Sequence, residues 1–162
     1  MLRLFHSTCL LALIAGGLYA QSVPPPVLET SGMVGLAFGE TARLNVLNPT
    51  TVAACSATLS FLDGTGTLLK SEAVVVPAGT SVWFDLHDSD LDLAITDRRE
   101  IRATLLIPGP VPTSTSSSTT TSTVPTCEYV KTLEIFDNAS LRTLVVLGHF
   151  RDVTTPAATE AP

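Results

Sequence analysis

The chain is 162 residues long, carries a formal charge of −6, and is 45% hydrophobic against 15% charged. That length supports one domain with a single core, and the acidic balance repels phosphate backbones, so nucleic acid is not an expected partner. Beyond residue 20 no apolar stretch approaches the roughly 20 residues that a membrane helix needs, so no membrane span is expected after processing.

Residues 1–20 read as a cleaved export signal. Arg3 supplies the positive start, residues 10–18 form a short apolar run, and Leu18-Tyr19-Ala20 ends in a small residue before Gln21. The run is too short to cross a bilayer. The expected destination is therefore secreted or periplasmic. Cys9 leaves with the signal, and the small residues of a lipid-attachment site do not precede it. Cys55 and Cys127 remain. An even pair in an exported protein reads as one disulfide, and closing a loop of about 72 residues contributes up to roughly 4 kcal/mol in the chain-entropy model. The competing role, a reactive thiol, needs an activating partner.

Residues 21–31, with Pro24, Pro25 and Pro26, read as an extended leader. Residues 32–152 read as a single β domain. A first strand is expected over 33–38. Gly39-Glu40 turns the chain into 41–48, where Ala42, Leu44 and Val46 alternate with Thr41, Arg43 and Asn45, the period of a half-buried strand. Asn48-Pro49 stops it. Cys55, Ala57, Leu59 and Phe61 share one parity, which points the cysteine inward with large apolar neighbours. Asp63-Gly64-Thr65-Gly66 supplies a hairpin turn into 68–76. After Pro77-Ala78-Gly79, Val82, Phe84 and Leu86 form the next inward set, opposite Ser81, Trp83 and Asp85. Residues 88–99 hold one short helical turn at most. Ile101, Ala103, Leu105 and Ile107 alternate with Arg102 and Thr104, and two last runs, 129–136 and 142–150, flank a turn at Asp137-Asn138. Strands spaced about ten residues apart, with turn signals between, predict an all-β, immunoglobulin-like antiparallel β-sandwich of about 7–9 strands.

Residues 108–126 are rich in Pro, Ser and Thr. They bury no apolar surface, so they read as a solvated loop inserted within the domain, open to O-linked sugars. Residues 153–162 read as a frayed tail.

The stretch Gly39-Glu40-Thr41-Ala42-Arg43-Leu44-Asn45-Val46-Leu47-Asn48 resembles the opening of a bacterial immunoglobulin-like domain of the CARDB type, related to cell adhesion. Asp63-Gly64 and Ala78-Gly79-Thr80-Ser81 leading into Phe84 match the later turns of that pattern, so the resemblance spans 39–86. The closing segments Leu133-Glu134-Ile135-Phe136-Asp137 and Arg142-Thr143-Leu144-Val145-Val146-Leu147 resemble small exported bacterial proteins. The resemblance implies a sandwich at the cell envelope and transfers no catalytic residue. Antibody hallmarks do not fit, because Trp83 lies too far past Cys55 and Tyr129 follows the second cysteine.

Asp85, His87, Asp88, Asp90, Asp92 and Asp97 form the densest polar cluster. Carboxylates at i, i+2 and i+4 suit Ca²⁺ when the backbone curls around it, which makes Asp88, Asp90 and Asp92 calcium candidates; the glycine and distal glutamate of such loops are missing. The plainer role is a solvated loop that keeps a sheet edge from pairing. His87 and His149 lack zinc spacing. They are also the available general bases for a small secreted hydrolase, although no Gly-x-Ser-x-Gly elbow is present. Gly64-x-Gly66 lacks the third glycine and the following helix of a phosphate loop. Trp83, of outward parity, is either a stacking platform for a sugar or protein partner or packed beneath a loop, which large aromatics favour. Asn138-Ala139-Ser140 matches the N-glycosylation pattern, a chance match in a bacterial host. The resulting expectation is an exported, non-catalytic module without a cofactor, binding an unknown protein or glycan partner.

Overall fold

Side-chain alternation decides the architecture. The computed structural model describes residues 25–109 and 127–153; the expected signal, residues 21–24 of the leader, residues 110–126 and the tail after 153 lie outside the described residues. Ten strands follow one another in the described residues: β1 (Val27–Ser31), β2 (Val34–Ala37), β3 (Glu40–Leu47), β4 (Cys55–Asp63), β5 (Leu68–Val76), β6 (Ser81–His87), β7 (Arg98–Ile107), β8 (Val130–Asp137), β9 (Thr143–Leu147) and β10 (Phe150–Asp152). A single 3₁₀ turn, Asp88–Leu91, separates β6 from β7, where one short helical turn is expected.

The strands form two antiparallel sheets. One runs β10-β1-β7-β4-β5 with β2 also on β7, and the other runs β6-β3-β8-β9. Their inner faces carry the apolar sets anticipated from alternation: Ala42, Leu44 and Val46 on β3, Cys55 to Phe61 on β4, Ile101 to Ile107 on β7, and Leu133 and Ile135 on β8, all buried. Phe61 of the first sheet stacks on Phe84 of the second, with ring centroids 5.3 Å apart. The structure is thus an antiparallel β-sandwich, with more strands than the sequence suggests.

Two breaks account for the additional strands. Val27–Ser31, read from sequence as leader, is strand β1, hydrogen-bonded in register to both β7 and β10. β1 and β2 are two halves of one edge. Three residues, Ser31 to Met33, stand opposite Arg102 and Ala103, and the Ser31 hydroxyl accepts the Ala103 N–H at 2.9 Å. A side chain thereby replaces the missing ladder acceptor across a bulge. At the other end of the chain, the run expected over 142–150 changes sheets at Gly148-His149: β9 pairs β8, whereas β10 pairs β1.

The sheets are tied together at three places. Cys55 and Cys127 form a disulfide with a Cα–Cα distance of 5.8 Å, joining the first residue of β4 to the segment that leads into β8. Lys131 of β8 pairs with Glu29 of β1, and its ammonium lies 5.9 Å from the Phe150 ring. Asn48 is fully buried. Its Nδ2 donates to the Ala53 and Val76 carbonyls at 2.9 and 3.0 Å, and its Oδ1 accepts from the Thr50 N–H and hydroxyl. Its backbone N–H donates to Thr80 O and its carbonyl accepts from Gly79 N–H. One residue, through its side chain and its backbone, therefore closes hydrogen bonds of both the β3–β4 connection and the β5–β6 turn.

Replacing both Cys55 and Cys127 by alanine is expected to lower unfolding free energy by about 2–4 kcal/mol, because the denatured chain gains the freedom of the open loop. Denaturant titration checks this, and reduction of the native protein should reproduce most of the loss. Asn48→Ala is expected to cost about 2–4 kcal/mol, since several buried partners lose their hydrogen bonds at once. Asn48→Asp gives no rescue, because a carboxylate cannot donate to the two carbonyls.

Candidate functional site

The outward side of the β6-β3-β8-β9 sheet brings together Trp83, Arg43, Asp85, Glu134 and Phe136. In the β3 register, Arg43 stands opposite Asp85 on β6 and Glu134 on β8. Asn45 stands between Trp83 and Thr132, and Thr41 between His87 and Phe136. The Arg43 guanidinium grips Asp85 through two hydrogen bonds, Nε to Oδ1 at 2.8 Å and Nη2 to Oδ2 at 2.7 Å. From that anchored position it lies 5.8 Å from the Trp83 ring and 5.1 Å from the Phe136 ring. The bidentate pair fixes the plane of the guanidinium, and the two ring contacts are of the cation–π kind. The Asp85 hydrogen bond raises the Arg43 pKa above its already high value, against the opposing effect of partial burial.

Trp83 is 65% exposed. This corrects the expectation that it packs beneath a loop: β6 is the last strand of its sheet, so no further strand covers the indole on that side. Val130, Leu144 and Val146 add exposed apolar surface on β8 and β9. Arg43 and Phe136 are the members of this cluster that sequence reasoning missed. Their parity is readable, but only the pairing of three strands sets Arg43 between the Trp83 and Phe136 rings.

The acidic cluster does something other than converge. Asp85 holds Arg43. Asp88 Oδ2 accepts the Gly39 N–H at 2.9 Å. Asp90 Oδ2 accepts from Lys70 Nζ at 2.8 Å and from the His87 N–H at 3.0 Å, and the Lys70 hydrogen bond lowers the Asp90 pKa. Asp92 ends the 3₁₀ turn in a left-handed conformation, φ 50°. Asp97 accepts the Ala94 N–H. The calcium candidates Asp88, Asp90 and Asp92 thus pin the corner after β6, and among the described residues no group of three or more His, Cys, Asp or Glu is placed to hold a metal ion.

His87 joins a small hydrogen-bond network with Thr41 and Asn138. The buried Thr41 hydroxyl donates to Asn138 Oδ1 at 2.6 Å, so its oxygen is left to accept from His87 Nδ1 at 2.9 Å. The network thereby assigns the histidine proton to Nδ1. Asn138, the asparagine of the glycosylation pattern, sits on the exposed β8–β9 turn with its side-chain oxygen engaged. His149 is exposed in the link between β9 and β10. With both histidines open to solvent, the hydrolase reading gains no desolvated base. Gly64 and Gly66 lie in the β4–β5 turn, closed by Asp63 N–H to Thr67 O and Gly66 N–H to Asp63 O, the hairpin expected there.

Tyr129, next to β8, is buried, and its hydroxyl has no hydrogen-bond partner among the described residues. Burial raises its pKa to about 12. Among the described residues no helix is long and apolar enough to cross a membrane. Searches against protein-family models, curated proteins and solved structures find no match for the chain.

The Tyr129 shift fixes a pH window. The unfolded phenol ionises near its ordinary value of 10 and the folded one near 12, so stability is complete below pH 10 and is lost as pH rises through 12. Absorbance titration of the phenolate, with melting temperature followed in parallel, checks this. Tyr129→Phe is expected to flatten the alkaline loss.

Proposed function

We propose that the chain is an exported, non-catalytic immunoglobulin-like module that binds a protein or glycan partner at the cell envelope or outside the cell. The contact surface is the outward face of β6-β3-β8-β9, centred on Trp83. The exposure of Trp83 carries this reading: a large aromatic left in water costs hydrophobic free energy that a partner recovers. The surroundings support it. Arg43 lies between the Trp83 and Phe136 rings, and tryptophan and arginine are the side chains that dominate binding energy at protein interfaces. Arg43 is held by Asp85 before any partner arrives, so little side-chain entropy is left to lose on binding. The resemblance of residues 39–86 to CARDB-type domains agrees with an adhesive role, and the disulfide with an oxidising compartment.

Trp83 is the chain's one tryptophan, so its fluorescence reports on this face alone. Envelope-fraction proteins and a panel of surface glycans, titrated against the protein, are expected to shift or quench that emission where they bind. Trp83→Ala is expected to weaken capture of the same partner by at least about tenfold, the usual effect of removing a central aromatic anchor. Capture that survives both Trp83→Ala and Arg43→Ala unchanged would rule out this face.

A further inference from the structure

We propose that strand β9 is a self-pairing edge: two copies of the chain associate by antiparallel β9–β9 addition into one continuous eight-stranded sheet. The inference uses the edge of the sheet and does not depend on the binding role of the Trp83 face.

The free edges of the sandwich differ in one respect. β5 carries Lys70 and Glu72, β6 carries Asp85 and His87, and β10 is three residues long with Arg151 and Asp152. β2 keeps Val34 and Leu36 in the core, and the Arg98 guanidinium crowds its Gly35. Charge, shortness and cover are the devices that keep an edge from pairing with another chain. β9 reads Thr-Leu-Val-Val-Leu, with no ionisable side chain. Among the described residues it pairs only β8 and ends its sheet. Leu144, Val145 and Val146 are 54%, 40% and 56% exposed.

A second copy is the occupant this strand fits. When a strand pairs antiparallel with itself about Val145, Leu144 meets Val146 of the other copy and Thr143 meets Leu147. Partners in this register share parity, so residues on one face meet residues on the same face. Leu144 and Val146 make the apolar pairs of the row, and no like charges are opposed along it, in spite of the net charge of −6. The interface is isologous and closes at two copies. The two-fold axis stands perpendicular to the sheet, so both Trp83 clusters face the same way. The ladder is short, and the register irregularity between Ile135 and Phe136 interrupts its start. Five residues a side make a contact smaller than a standard stable interface, so the expected dimer is weak, with a dissociation constant on the order of 10–100 μM.

Sedimentation equilibrium of the purified, oxidised protein from about 5 μM to about 1 mM covers that range. A monomer–dimer equilibrium is expected. Val146→Lys places two like charges beside the two-fold axis and is expected to raise the dissociation constant at least tenfold, with the melting temperature unchanged. Leu144→Lys is the second variant should the first not fold. Val75→Lys, on the β5 edge, and Trp83→Ala are expected to leave association as in the parent. A protein that stays monomeric to 1 mM, or a dimer that both β9 lysine variants leave intact, overturns the proposal. Loss of partner capture in Trp83→Ala with dimerisation retained separates this edge from the proposed binding face.

Discussion

The register of β3 governs both the inside and the outside of this protein. β3 is paired along its whole length, with β6 on one side and β8 on the other. Because side chains alternate with period two, a slip of one residue against either neighbour would turn Leu44 out to water and Arg43 into the core. Leu44 and its row build the floor on which Phe84 meets Phe61. Arg43 and its row build the exposed cluster with Asp85, Trp83 and Phe136. The core is what makes the register unambiguous, and the register is what assembles the outer face. Burial energy thereby positions a surface that itself contributes little to stability, since partly exposed ion pairs are worth at most about 1 kcal/mol.

Much of this was legible before any coordinates. β3, β4, β6 and β7 each announce themselves by strict alternation, and the turns between them by Gly, Pro and Asp. The Cys55–Cys127 bridge follows from the inward parity of Cys55 and an exported setting. The breaks were not legible. β1 lies beside a run of prolines and looks like leader until it is seen capping β7, and Ser31 resembles any polar residue until its hydroxyl is found replacing a backbone acceptor. The last apolar run gives no sign that it divides between two sheets at Gly148-His149. These are long-range pairings, and local sequence carries no record of its partner.

The candidate site shows the same boundary. The outward parity of Trp83 could be read directly, whereas its exposure could not, because exposure depends on β6 lying at the end of a sheet. Asp88, Asp90 and Asp92 have spacing that suggests an ion, yet the chain uses two of them to hold backbone N–H groups and Lys70. Asn48 does stop β3, as its place before Pro49 suggests, but that it is also a fully enclosed polar hub could not be read from the sequence. Ser31 and Asn48, both buried, sit where a strand breaks or ends, and each satisfies backbone hydrogen bonds that the ladder leaves open there.

The bridge between Cys55 and Cys127 also sets an order of events during synthesis. β3 to β7 leave the ribosome before Cys127 exists, and β3 waits half-paired until β8 arrives, about 90 residues behind it; such distant pairings close slowly. Through that interval Cys55 has no correct mate, and early oxidation could pair it only with Cys9 or with another molecule. Cys127 is the one thiol made after Cys55, so the native bridge waits on delivery of the chain's C-terminal third.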